Sequence, residues 1–338
     1  MKVFGKIAML LLLLQSTAFA SEKREDWQDA GVVERNRYPM TATFETGGNK
    51  LSLNGVWDFK FYDLIADRSM EFFKTDYDAS SWDKMPVPGL WELNGYVEPL
   101  YLNTGYAWRT WFKNNPPFAP VERNHAGQYR RTFTIDENWK GKDIFLHIGS
   151  ATSNVRVWVN GKEVGYSEDS KLEAEFDITR YVRTGTKNLL AMQIFRWSDG
   201  TYIEDQDFWR MAGIGRDCYL YARDPRRIVD LKLTPDLTNN YTDGSLRVHA
   251  TSTKGVKSLR LTLYDADATV VAEATCAVKQ GLAEHLFEVK NPQKWSAETP
   301  NLYRLTVAAL DAKGAIIEAT ALRVGFRKVE IRNSQLLV

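Results

Sequence analysis

From residue 21 onward, apolar and polar positions alternate with a period of two in short runs, and Gly, Asn, Asp and Pro separate the runs. Such a pattern builds half-buried strands, so the chain reads as predominantly β. Val155, Val157 and Val159 alternate with Arg156 and Trp158, and Asn160-Gly161 then offers two residues that tolerate positive φ. That spacing predicts a tight hairpin returning through Glu163–Tyr166. Leu189–Phe195 is almost continuously apolar, the mark of a strand covered on both faces, and Lys187-Asn188 turns into it. Asp177 through Val182 reads as a single helical turn capped by Asp177. No alternation of strand with long helix is present, which excludes a parallel α/β sheet.

A polar, proline-containing break at Arg223-Asp224-Pro225-Arg226-Arg227 follows the aromatic strand Tyr219–Tyr221 and marks a domain boundary. Beyond it, apolar pairs recur at Leu231/Leu233, Leu246/Val248/Ala250, Leu259/Leu261/Leu263, Leu286, Leu305/Val307 and Leu322/Val324. Those intervals suit a small immunoglobulin-like sandwich. Trp295 falls in a loop, and no paired-cysteine framework exists, so an antibody-type domain is excluded. The length of 338 residues agrees with two domains, since single cores stop growing at about 250–300 residues.

The N-terminus adds a targeting signal. Lys2 and Lys6 precede the apolar run Ile7–Leu14, and Ala18-Phe19-Ala20 leads into Ser21. A charged start, a short apolar stretch and small residues form a secretory signal peptide over residues 1–20, with cleavage expected after Ala20 and a periplasmic destination. The apolar run is well short of the ~20 residues that span a bilayer, so no membrane anchor is expected. The 44 basic and 43 acidic residues are interspersed, which leaves no footprint for nucleic acid. Cys218 and Cys276 are far apart, and neither they nor His125, His147, His249 and His285 have the spacing of a zinc site.

Two stretches of the first domain could carry chemistry. Pro86–Tyr106 is too rich in Gly, Pro and Asn to be one element and carries several aromatics and Asn103. It reads either as a sugar-facing loop, with rings to stack and an amide to bond hydroxyls, or as a loop packed on its own aromatics. The second stretch places Asp199, Glu204, Asp205 and Asp207 within nine residues. Crowded carboxylates repel, so this cluster serves as an oxygen-lined cation site, as a recognition site for sugar hydroxyls, or as ion-pair partners of Arg196, Arg210 and Arg216. Which of Glu204, Asp205 and Asp207 would ligate an ion stays open.

Several low-degeneracy strings then resemble one family. Val87-Pro88-Gly89-Leu90-Trp91, Glu98-Pro99-Leu100-Tyr101-Leu102-Asn103, Asn115-Pro116-Pro117-Phe118 and Arg196-Trp197-Ser198-Asp199-Gly200 are among them. So are Glu204-Asp205-Gln206-Asp207, Trp209-Arg210-Met211-Ala212-Gly213-Ile214 and the string from Trp295 to Tyr303. Together they resemble the N-terminal part of glycoside hydrolase family 2 β-galactosidases, in register from about Trp27 to Val338. The resemblance implies an all-β chain: a galactose-binding-like jelly-roll sandwich over residues 21–223, then an immunoglobulin-like sandwich over 224–327. It also implies that Asn103 and Asp199 line a galactose subsite, that Asp199 forms part of a Na⁺ site, and that β-galactosides such as lactose are the ligands.

In that family a (β/α)8 barrel holds the catalytic acid/base, the nucleophile and the Mg²⁺ ligands, and no residue of this chain takes those positions. Residues 328–338 resemble a truncated entry to that barrel. The expectation is therefore a chain that is not catalytic alone. It would be the first portion of a secreted β-galactosidase, a separately encoded subunit that completes a barrel, or a stand-alone galactoside-binding module.

Overall fold

The computed structural model describes residues 25–42, 44, 49–204 and 206–338. The expected signal peptide and Asp205 lie outside the described residues.

Residues up to Arg223 build a sandwich of two antiparallel sheets. The larger has seven strands in the spatial order Glu34–Arg35, Lys162–Ser167, Val155–Val159, Lys187–Phe195, Ala126–Thr134, Gly55–Tyr62 and Asp83–Val87. The smaller runs Ala174–Asp177, Asp143–Ile148, Cys218–Arg223 and Asn49–Ser52. Neighbours in space are mostly distant in sequence, as in a jelly roll. Alternate residues of both sheets face inward, and Trp57, Phe59, Tyr129, Leu146, Val157, Phe176, Leu190, Ile194 and Leu220 meet in one core. Each such side chain contributes about 1.5–3 kcal/mol relative to exposure.

The hairpin forms where the alternation predicted it. Asn160 and Gly161 take φ of 51° and 80°, and the Asn160 amide donates to Tyr181 O at 2.8 Å. The apolar strand is buried from Asn188 through Phe195, between the sandwich core and an outer layer of Phe72, Trp82 and Trp158 packed on Ala191. Asp177 caps its turn by accepting from Thr179 N at 2.9 Å, and Tyr181 N bonds Ile178 O at 2.8 Å. The segment is a capped turn that does not continue into a helix.

A second sandwich follows. Its three-stranded sheet orders Ile228–Thr238, Asp243–Ser252 and Leu282–Val289. Its four-stranded sheet orders Val270–Ala277, Ser258–Tyr264, Tyr303–Leu310 and Ile316–Val324. Leu246, Val248, Leu261, Phe287, Leu305 and Phe326 fill the space between them, giving the expected immunoglobulin-like form. The strand Val270–Ala277 escapes the sequence pattern because it lies at a sheet edge and its inward residues Ala272, Ala274 and Cys276 are small and only partly buried. Cys218 and Cys276 sit in different sandwiches as free thiols. The sandwiches are tied by Glu318, which accepts from Arg223 and from Ile228 N, each at 2.6 Å. Among the described residues no helix is long and apolar enough to cross a membrane.

Candidate functional site

A two-stranded ribbon lies on the first sandwich, with Leu102 buried and Leu100 packed against the cluster of Trp27, Trp108 and Trp197. Leu100–Leu102 pairs antiparallel with Phe208–Arg210, with Leu102 opposite Phe208, Tyr101 opposite Trp209 and Leu100 opposite Arg210. One step further, at the tip, Asn103 therefore stands across from Asp207, and both are exposed. The Tyr101 hydroxyl donates to Asp207 Oδ1 at 2.5 Å, and that bond raises the phenol's pKa. Tyr101 and Trp209 meet edge to face at 5.6 Å. These two rings and Phe208 remain 45–56% exposed, an unusual outlay of aromatic surface for a chain that buries most of its other tryptophans. Beside the ribbon lies a cleft of about 500 Å³, whose lining includes Lys171, Arg196, Trp197, Glu204, Phe208 and Arg216.

Most of the aromatic loop behind the tip packs on itself. Trp108 is fully buried between Tyr106, stacked at 5.3 Å, and Trp197, edge-on at 5.9 Å. The self-packed alternative holds for that part of the loop, while Tyr101 and Asn103 stay exposed.

Asp199 faces inward. It opens the short 3-10 turn Asp199–Tyr202 after the long apolar strand, where Ser198 N bonds Thr201 Oγ1 at 3.1 Å. Its side chain lies against Glu168, at the end of the hairpin's return strand, and the two residues are only 8% and 7% exposed. Burial drives the Glu168 carboxyl up to about 9, and the charges of Asp199 and Glu204 push it the same way. Burial also raises Asp199, against a hydrogen bond from Glu168 that lowers it. Glu168 accordingly keeps its proton at neutral pH and donates it to Asp199, while the Tyr166 hydroxyl donates to Glu168. Glu204 accepts from Ser170 N at 3.0 Å and from the Ser170 hydroxyl.

The fold therefore separates the acids that the sequence crowds together. Asp199 turns to Glu168, Glu204 to Ser170 and Asp207 to Tyr101. Of the arginines offered as partners, Arg196 lies 3.4 Å from Glu92 and Arg216 donates to the carbonyls of Lys171 and Gly149. The ribbon register brings Asn103 across from Asp207. Sequence reasoning did not single out Glu168 or Glu92, because the group each one faces, Asp199 and Arg196 respectively, is distant in the chain. Among the described residues no group of three or more His, Cys, Asp or Glu side chains is placed to hold a metal ion.

Comparison with known proteins gives a consistent picture. Residues 51–224 match the sugar binding domain of the family described as glycosyl hydrolases family 2, and residues 226–327 match a second domain of that family. A β-galactosidase of Priestia megaterium is 41% identical over 298 residues, covering 85% of this chain and 29% of its own length. One from Photobacterium profundum is 38% identical over 296 residues, covering 84% and 28%. The chain thus spans about three tenths of the length of these relatives. Among solved structures, a Bifidobacterium dentium β-glucuronidase complexed with coumarin-3-O-glucuronide superposes with a TM-score of 0.68 at 19% identity. It covers 89% of this chain and 51% of its own. A Ruminococcus gnavus β-glucuronidase gives 0.66, also at 19% identity. At that identity the likeness is one of fold.

Proposed function

The chain belongs to glycoside hydrolase family 2, and on that premise we propose that it forms the N-terminal part of a β-galactosidase and one wall of the galactose subsite. The observation that carries this reading is the ribbon register, which sets an amide and a carboxylate side by side at an exposed, aromatic tip. An amide both donates and accepts, and a carboxylate accepts from two hydroxyls, so the pair suits the hydroxyl edge of a sugar. Neighbouring rings suit its apolar face. We assign to Asp207 the sugar contact that the family resemblance suggested for Asp199, because the Asp199 carboxyl is buried and engaged with Glu168.

Bond cleavage is the work of a (β/α)8 barrel, supplied in cis or in trans. There, one glutamate attacks the anomeric carbon and another protonates the leaving oxygen, with retention of configuration. Asn103 and Asp207 bind and orient, and lactose is the simplest ligand of the expected class. A Mg²⁺ belongs with the barrel. Sodium fits two places here by the chemistry of the donors: Asp207, an exposed carboxylate open on one side, and the Asp199–Glu168 pair. Burial raises both carboxyls of that pair, and a cation held between them would take the place of the shared proton. The signal peptide over residues 1–20 sends the protein to the periplasm.

The test is lactose and methyl β-galactoside binding, by calorimetry at millimolar sugar, to the chain with and without a family barrel. Asn103→Ala and Asp207→Asn should each weaken binding about tenfold or more. Unchanged affinity in both variants overturns the subsite. Full affinity without any barrel would make this a stand-alone binding module.

A further inference from the structure

The two strands of the ribbon touch each other, but their roots are held by something else. At the end opposite the tip, the ribbon begins near Glu98 on one strand and ends near Ala212 on the other. Ala212 N donates to Glu92 Oε2 at 2.9 Å. Arg196 donates to Glu98 O at 3.2 Å. Glu92 and Arg196 then face each other at 3.4 Å, with side chains 0% and 11% exposed. A single buried acid–base pair thus grips both roots, one strand through each partner.

We propose that Glu92 and Arg196 are positioning residues for the sugar-facing tip: this buried pair sets the register and angle of the ribbon that carries Asn103 and Asp207. The inference rests on the reading that the tip faces the sugar. Three observations support it.

First, the pair is poorly satisfied for its depth. Glu92 Oε1 and Arg196 Nε have no hydrogen-bond partner, and burial raises the Glu92 carboxyl and lowers Arg196. A buried pair of this kind adds little net stability, and its best-attested use is to specify register. Second, the neighbourhood is built around it. Ala212 O accepts from Trp91 N at 2.9 Å, Gly213-Ile214 pairs with Gly89-Leu90, and Arg196 N is held by His125 O at 3.0 Å. Glu92 and Arg196 are therefore fixed to the sandwich at their backbones and reach outward only with their side chains. Third, a two-stranded ribbon is marginal by itself in water, so its geometry depends on what it packs against: Leu100 on the cluster of Trp27, Trp108 and Trp197 and, at the root, the Glu92–Arg196 pair.

The geometry makes unequal predictions for the two partners. Glu92→Gln keeps an oxygen for Ala212 N but loses the charge that holds Arg196. Arg196→Met leaves Glu92 bonded to Ala212 and frees only Glu98. Glu92→Ala removes both the acceptor for Ala212 N and the charge that faces Arg196, so it loosens both roots. Hydrogen exchange on the intact chain reads this directly. Amides of 98–103 should exchange at least tenfold faster in Arg196→Met and Glu92→Gln, those of 206–212 also in Glu92→Ala, with the strand Lys187–Phe195 unchanged. If Glu92→Ala fails to fold, the other two variants still decide. Ribbon exchange that stays at the wild-type rate, or that accelerates no more than the rest of the first sandwich, overturns the proposal.

Lactose affinity is measured on the same samples, in the presence of a barrel if one is needed for wild-type binding. It should fall about tenfold in Glu92→Ala and recover at least in part in Glu92→Gln, a rescue that general destabilisation would not produce. Affinity that ignores all three variants while the ribbon loosens also overturns the positioning role. Should the wild type bind no galactoside in either setting, the sugar reading fails, and exchange alone still decides whether the pair sets the ribbon.

Discussion

Asp207 and Asp199 are eight positions apart and chemically identical, yet they end in opposite surroundings. Asp207 stands in water at the ribbon tip with a phenol on one oxygen. Asp199 lies under the surface against a second carboxyl that has to keep its proton. An exposed carboxylate costs nothing to keep charged and can exchange its water for sugar hydroxyls. A buried one must share a proton or a cation, and its strength goes into holding structure. Environment, rather than residue type, leaves Asp207 free for the proposed sugar contact and commits Asp199 to its buried partner.

The widest split should come from truncating each acid in turn. In a protein that includes a barrel, Asp207→Ala should weaken galactoside binding by about 10- to 100-fold, the worth of a charge-assisted hydrogen bond. Its stability should stay within about 0.5 kcal/mol of wild type, as for surface changes generally. Asp199→Ala should do the reverse. It strands the Glu168 proton without an acceptor, at about 1–3 kcal/mol of stability, while sugar affinity in the folded fraction holds. Calorimetric melting and sugar titration of both variants check this, and like effects from the two would erase the contrast.

A smaller effect distinguishes them by pH. The Glu168 carboxyl sits at about 9 when folded, against an ordinary 4.5. The folded chain therefore binds an extra proton between those values, and its stability from this group is present in full below about 4.5 and lost as pH rises towards 9. Glu168→Gln mimics the protonated acid and cannot titrate, so its melting temperature should fall less than that of wild type across pH 5 to 9. Parallel slopes would place Glu168 in water. Added Na⁺ should flatten the wild-type slope if a cation takes the proton's place.

The smallest change is Tyr101→Phe, which removes only the hydroxyl on Asp207. Loss of one such bond is worth about 0.5–1.5 kcal/mol, so galactoside binding should weaken roughly two- to tenfold with the melting temperature unmoved. A full loss of binding would mean that the phenol itself contacts the ligand.

The hairpin through Asn160-Gly161 and the buried strand Leu189–Phe195 were legible because their causes are local: two residues that accept positive φ, and an unbroken apolar run. Asn103 was legible as an exposed amide in an aromatic loop. Glu168 was not, since its partner is 31 positions away and the acids near it in the chain, Asp169 among them, give no sign of that partner. Nor was the sorting of Asp199, Glu204 and Asp207. Proximity in sequence made them one cluster, while a turn at Ser198–Tyr202 and the start of a strand at Phe208 point them in different directions.

What the amino-acid order determined alone is the alternation, the turns and the boundary, hence two antiparallel sandwiches, because period and φ preference act over a few residues. Which acid meets water, which amide stands beside it and what holds the ribbon's roots were decided only by the tertiary structure. Those outcomes depend on strand register and on burial, and both are settled by residues tens to hundreds of positions apart packing into one core.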